Sequence, residues 1–329
     1  MLILCGSSLS FMEHQVLGRQ SPLYGRRTAQ LRINPFTAFD AAQMLPGAPP
    51  QTVIELYSIA GGVPLYLSQL DGSKSTEWNI SQKVFRQDSI LYEEPRAYLH
   101  QETRSPAAYN SIIAAIANGH VRPSEISDAT SIPSSAVNRY LESLIELKIV
   151  ERCIPMVLRN KKQVVYRISD NLFRFWFRFV PRYAGTIEAE MGAAVAKRIM
   201  SDDFPTFVGP AFEVVCRQWL MREAVEGRLG LLPKEIGSWW GTDPRTRNQE
   251  EIDIVLEGSD EELVFGECKW KSRPVDVDVL DKLLERSSLL SGSSRSFFLF
   301  SKSGFTKSCV EAAKGRGDIR LVTPEEMFA

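Results

Sequence analysis

Two rhythms of hydrophobic residues run along this chain. Beyond residue 204, helical stretches with apolar positions near a 3.6 period are interrupted by short apolar runs of strand length, and the order predicted is α-β-β-β-α-β-α-β. The helices are expected over 207–226, over 277–290 and from 306. The strands fall near 235–240, 250–257, 263–271, 296–301 and from 319. Between 105 and 168 the rhythm changes to three helices, over 105–118, 123–128 and 131–147, the last with apolar residues at 137, 141, 144, 145 and 147–149. A strand from 149, a polar turn at 159–163 and a strand over 164–168 follow. Residues 1–100 predict a strand at 2–5, a helix at 9–17, a loop at 21–27, a strand at 30–33 and helices near 36–44 and 52–59. A Gly-Gly-Val-Pro break at 61–64 then opens another helix.

Three helices and a β-hairpin in that order are the winged-helix arrangement. Its third helix carries Ser134, Ser135, Asn138 and Arg139 at its start, polar groups able to face a DNA groove, and Lys161 and Lys162 stand at the tip of the wing. The segment 170–180 is strongly aromatic. Its interleaved Arg174 and Arg178 suggest base stacking, but an amphipathic helix whose rings plug a core is the simpler expectation. The domains expected are 1–103, 104–170, an aromatic helical linker over 171–203, and 204–329.

Hydrophobic residues make up 44% and charged residues 24%, as in an ordinary globular protein. The net charge of −1 offers no global basic field, so a nucleic-acid surface must be a local patch. Five scattered cysteines suit a reducing, cytoplasmic setting, and three separated histidines argue against a histidine metal site. No apolar run is long enough for a membrane span. The apolar opening Met1-Leu-Ile-Leu-Cys-Gly looks like a buried strand at the very first residue, as at an N-terminal truncation or a degenerate gene start.

The candidate chemistry lies in Glu251-Ile-Asp-Ile-Val-Leu and Leu263-Val-Phe-Gly-Glu-Cys-Lys-Trp-Lys. Side chains at i and i+2 of a strand share a face, so Glu267 and Lys269 project together, and a hairpin brings Asp253 beside them. Two carboxylates able to hold Mg²⁺ or Mn²⁺, with an ammonium to orient water, are the minimum equipment for metal-assisted phosphodiester cleavage. Charges at the end of an apolar hairpin are costly unless something binds them.

This order, with Asp on the second strand and Glu-x-Lys on the third, resembles the PD-(D/E)xK superfamily of restriction-endonuclease-like folds. The resemblance implies Asp253 and Glu267 as metal ligands, Glu213 on the preceding helix as a supporting carboxylate, and Lys269 as the water-positioning group. Gly266-Glu-Cys-Lys-Trp-Lys after Ile252-Asp-Ile-Val is similar to a C-terminal domain carried by archaeal-type ATPases. Leu2-Ile-Leu-Cys-Gly-Ser-Ser resembles the fourth strand and sensor-1 turn of an AAA+/STAND ATPase, with Ser7 in the turn. Ser21-Pro-Leu-Tyr-Gly-Arg-Arg is similar to the loop that bears an arginine finger, implying Arg26 or Arg27, and Gly61-Gly-Val-Pro64 to the lid motif. No Gly-x-x-x-x-Gly-Lys-[Ser/Thr] occurs in these residues, so the chain is not expected to hydrolyse ATP by itself. The expectation is an α/β protein: a partial AAA+ core and helical lid, a winged helix, and a restriction-endonuclease-like C-terminal domain. Two functions fit: a DNA-associated, metal-dependent nuclease-like protein, or a non-catalytic module that binds DNA, a full-length ATPase or a second copy of itself.

Overall fold

The computed structural model describes residues 3–6, 16–26, 28–31, 33–157 and 163–329. Along the chain these form α1 (Ala38–Gln43), α2 (Pro50–Ala60), α3 (Pro64–Leu67), α4 (Thr76–Asn79), a π-helical turn at Ile80–Val84, α5 (Ile90–Glu102), α6 (Pro106–Ala117), α7 (Pro123–Thr130) and α8 (Ser134–Glu146). The strands β1 (Val150–Cys153) and β2 (Val165–Ile168) follow, then α9 (Asn171–Glu188), α10 (Gly192–Asp202) and α11 (Phe204–Val225). Beyond them come β3 (Pro233–Thr242), β4 (Gln249–Gly258), β5 (Leu263–Lys269), α12 (Val277–Ser287), β6 (Arg295–Ser301), α13 (Lys307–Lys314), β7 (Ile319–Val322) and α14 (Pro324–Met327).

Two compact units interleave along the sequence. One takes residues 82–153 and 165–192 together with the described part of 1–35; the other takes 36–81, 154–164 and 193–329. The expected 1–103 segment is therefore divided, because the apolar side of α2 (Val53, Ile54, Leu56) is buried in the second unit. There Gln218 on α11 donates to the Tyr57 hydroxyl and accepts from the Ala38 amide, at 3.1 and 2.9 Å. Gly62 is required where it stands: the Phe36 amide donates to its carbonyl at 2.8 Å, and a Cβ there would lie 2.0 Å from the Phe36 carbonyl oxygen.

In the first unit, α6, α7 and α8 followed by the antiparallel pair β1–β2 have the expected winged-helix order. Val137, Leu141 and Leu144 line one face of α8 and are buried. The rings of α9 are also core: Phe173, Phe175, Trp176, Phe177 and Phe179 are all buried, and the Trp176 indole donates to the Tyr92 carbonyl at 2.8 Å. None of them is a stacking platform. The strands expected at 2–5 and 30–33 do not form among the described residues, and Ile3, Leu31 and Ile33 are exposed. A strand with no neighbour leaves its amides unpaired, so apolar character alone does not create one.

The second unit is built on a five-stranded mixed sheet in the order β3-β4-β5-β6-β7, antiparallel up to β5 and parallel from β5 to β7. Its helices and strands follow the predicted α-β-β-β-α-β-α-β succession. Alternation sorts the strands into two apolar faces. Val255, Phe265, Phe297 and Leu299 pack with Leu280 and Leu283 of α12 and Cys309 of α13. On the other face, Phe298 and Phe300 meet the Trp219 ring of α11 edge-on at 6.1 and 5.7 Å. Each fully buried ring or leucine contributes about 1.5–3 kcal/mol, so the sheet centre is rigid ground for whatever its strand ends carry.

Candidate functional site

The hairpin β4–β5 ends where the site begins. Its register pairs Ile254 with Gly266, which puts Asp253 and Glu267 at the next opposed positions. The Asp253 carboxylate accepts from the Cys268 amide at 2.8 Å, in the place a backbone carbonyl would take. Gly266 allows the close approach, since a Cβ there would sit 3.0 Å from that of Ile254. The three expected residues do converge. Lys269 Nζ donates to Glu267 Oε1 at 2.5 Å and lies 3.8 Å from Asp253 Oδ2, so one ammonium is shared by two carboxylates.

The charges extend further than the sequence indicated. Arg286 of α12 lies 3.7 Å from Glu267 Oε1 and donates to Glu250 at 2.7 Å. On α11, Arg217 donates to the Asp253 carbonyl and to Ser238 Oγ, both at 3.2 Å, and Ser238 Oγ donates to the same carbonyl at 2.9 Å. Glu213 stands one turn before Arg217 and pairs with it at 3.8 Å. Glu213 is thus tied to the Asp253 backbone through Arg217. Arg217, Ser238, Glu250 and Arg286 were not foreseen. Arg217 had a signal, one helical turn after Glu213, whereas Arg286 and Glu250 are brought together only by the tertiary fold.

Glu267 is 5% exposed, and its Oε2 is buried with no hydrogen-bond partner. Burial raises its pKa, the Asp253 charge adds to this, and Lys269 and Arg286 oppose it. Burial alone would lower the pKa of Lys269, but Glu267 and Asp253 outweigh it and hold the ammonium above its usual value. Glu267 grips its proton chiefly because it is buried, with Asp253 beside it, and Lys269 grips its own because two carboxylates face it. The two carboxylates facing Lys269 favour positive charge at that point. The neighbouring Cys268 thiol and the Cys216 thiol of α11 are hydrogen-bonded to each other, and burial raises the pKa of both, so they are neutral.

The donors suit a hard divalent ion in kind: two carboxylates, one with an orphaned buried oxygen. Among the described residues no three His, Cys, Asp or Glu side chains are clustered as an assembled metal cage. Lys269 stands between the two carboxylates instead.

On α8, Ser135, Asn138 and Arg139 are exposed on one side, opposite the buried Val137, Leu141 and Leu144. The Arg139 guanidinium lies 5.9 Å from the Tyr140 ring. The adjoining turn is fixed by Ser131 in the left-handed region (φ 57°) and by Ser127 Oγ donating to the Ile132 carbonyl at 2.7 Å. Lys161 and Lys162 at the wing tip, and Ser7 and Arg27, lie outside the described residues. Arg26 is exposed in a turn closed by its amide on the Leu23 carbonyl, and Pro64 is exposed at the first position of α3. No helix among the described residues is long and apolar enough to cross a membrane.

The protein therefore joins a helix-turn-helix unit to a mixed α/β unit. Residues 112–152 match the IclR helix-turn-helix domain, and residues 176–281 match DUF234, a family described as archaeal and bacterial proteins of unknown function. The first match contains Ser135, Asn138 and Arg139; the second contains Glu213, Asp253, Glu267 and Lys269. An uncharacterized protein of Methanocaldococcus jannaschii is 32% identical over 295 residues, covering 88% of this chain and 64% of the relative. The chain thus spans just under two thirds of that relative's length. A Vibrio cholerae protein of solved structure is similar over 78% of this chain and 55% of its own, at 13% identity and a TM-score of 0.32. An overlap that loose carries no argument about fold.

Proposed function

We propose that the chain is a DNA-associated, metal-dependent nuclease-like protein, with the helix-turn-helix holding DNA and the end of β4–β5 acting on a phosphodiester. The observation that carries this reading is the convergence of Asp253, Glu267 and Lys269, with a buried carboxylate oxygen left unpartnered. The α-β-β-β-α-β order, antiparallel at β3–β5 and parallel from β5 to β6, supports a PD-(D/E)xK-like core. Asp253 and Glu267 would hold Mg²⁺ or Mn²⁺, with Glu213 supporting through a water or a second ion. A bound ion would supply charge neutralisation at the phosphate and a more acidic water. Lys269 would release Glu267 and orient that water. Asp253 is held in place by the Cys268 amide and, through its carbonyl, by Arg217.

The test is calorimetric titration of Mn²⁺ into the wild-type protein and the Asp253→Ala/Glu267→Ala variant, followed by incubation with plasmid, single-stranded and branched DNA. Mn²⁺ binding and nicking that both vanish in the variant are expected. Nicking that survives in the variant would overturn the mechanism.

A second reading is favoured by the IclR-type match: a non-catalytic DNA- or partner-binding module associated with an ATPase. DNA binding without Mn²⁺-dependent cleavage would select it.

A further inference from the structure

The end of β5 opens onto a cavity of about 480 Å³ that the carboxylates do not line. Thr206 and Gly209, in the first turns of α11, form one wall. The chain leaving β5 forms the other, with Lys269, Lys271 and Arg273 at i, i+2 and i+4. No acidic residue lines the cavity. Lys271 and Arg273 are exposed, and neither forms an ion pair with a described carboxylate. Lys269 has its carboxylates, but Lys271 and Arg273 stand beside it without counter-ions and repel one another, and an anion relieves that repulsion.

Two further observations point the same way. Trp270, which lines the cavity and is 5% exposed, has an indole N–H with no acceptor. The side chain of Asp203 does not cap α11, and the positive end of this 22-residue helix borders the cavity through Pro205, Thr206 and Gly209. Lys269 belongs to both the cavity and the carboxylate cluster, so a chain of phosphates passing one continues into the other.

We infer that this cavity binds the phosphodiester backbone of a polynucleotide, seating the phosphate next to the one presented to Lys269. The inference rests on the nuclease-like reading for what lies at Lys269, but the contacts are those of Lys271, Arg273 and the start of α11. They recognise backbone charge and not base sequence.

The experiment measures the affinity of the full chain for a short fluorescein-labelled DNA duplex across a salt series, with EDTA present to prevent cleavage. Each phosphate contact contributes about 0.9 to the slope of log affinity against log salt. Lys271→Ala/Arg273→Ala should therefore lower the slope by about 2, while the charge-keeping Lys271→Arg/Arg273→Lys retains it. An unchanged slope in the alanine variant, with its melting temperature intact, would overturn the inference. Titrating Mn²⁺ into the same proteins separates the two failures. An unchanged DNA slope with normal Mn²⁺ binding removes the cavity alone. A reduced slope with no Mn²⁺ binding in the wild type removes the metal reading and leaves the phosphate seat standing.

Discussion

The end of β4–β5 and the exposed side of α8 both carry polar groups suited to nucleic acid, yet they are held in opposite ways. At the hairpin the clustered charges are largely buried, none more than 27% exposed, and locked to a neighbour: Lys269 to Glu267 and Asp253, Arg286 to Glu250, Arg217 to the Asp253 carbonyl. On α8, Ser135, Asn138 and Arg139 stand in water, and the helix is fixed from behind by Val137, Leu141 and Leu144. Removing a buried charge leaves its partner stranded, whereas removing an exposed one removes only its contact with a ligand. Stability should therefore report on the first region and affinity on the second.

The sharpest break of this contrast is Lys269→Ala. It strands Glu267 beside Asp253 with Arg286 as the one described cation still near it, and a loss of about 2–4 kcal/mol is expected in urea unfolding at pH 8. The pH dependence follows from the raised pKa of Glu267. The folded state already holds that proton more tightly than the unfolded one, so stability falls as pH rises above the ordinary carboxylate range. Without Lys269 the pKa climbs further, so lowering the pH favours the neutral carboxyl and the deficit at pH 5 should be smaller than at pH 8. An equal deficit at both pH values would show that the ammonium acts by packing alone.

Asn138→Ala/Arg139→Ala should do the reverse. Its unfolding free energy is expected to stay within about 0.5 kcal/mol of wild type, while affinity for duplex DNA falls about tenfold. Fluorescence anisotropy on a duplex checks this, and unaltered affinity would place the DNA contact elsewhere.

A smaller effect separates charge from capping. Asp170 accepts from the Phe173 amide at the start of α9, and burial pushes its pKa up to about 6. Its charge therefore costs stability as pH rises from about 4 through 6. Asp170→Asn keeps a capping oxygen and should stabilise by about 1–2 kcal/mol at pH 8 with little change at pH 4. Thermal melts at the two pH values decide it.

The smallest shift is expected for Glu213→Gln. It loosens an ion pair of 3.8 Å and should alter stability by less than about 1 kcal/mol. Mn²⁺ affinity is the more telling measurement, since a several-fold loss would mark Glu213 as a supporting ligand and no change would exclude it.

The two regions also differ in how far the sequence exposed them. Glu267 and Lys269 are two apart on a strand, and Asp253 follows from pairing consecutive strands, so local periodicity and one hairpin suffice to assemble the trio. Arg286 is a late position of α12 facing back to Glu250 across the sheet, a relation no spacing encodes. The element order beyond residue 204 was legible for the same reason: each helix and strand has its own apolar period. In residues 36–81 the helices near 36–44, 52–59 and after 61–64 were legible too, but the partner they pack against was not. These helices have an apolar side, but nothing local says that α11, far along the chain, covers it. Among the described residues the strands expected at 2–5 and 30–33 do not form, since β character without a neighbour is only a preference.

The interleaving of the two units has a consequence for how the chain is made. As synthesis proceeds, α2 emerges early with Val53, Ile54 and Leu56 on its apolar side, but α11 is added only after the whole helix-turn-helix segment. Pairings so distant in sequence slow folding and leave greasy surface uncovered in the meantime. The helix-turn-helix can condense from local contacts as it leaves the ribosome, while the sheet unit has to wait for its last strands. During that interval the early helices are the part of this chain most in need of a chaperone.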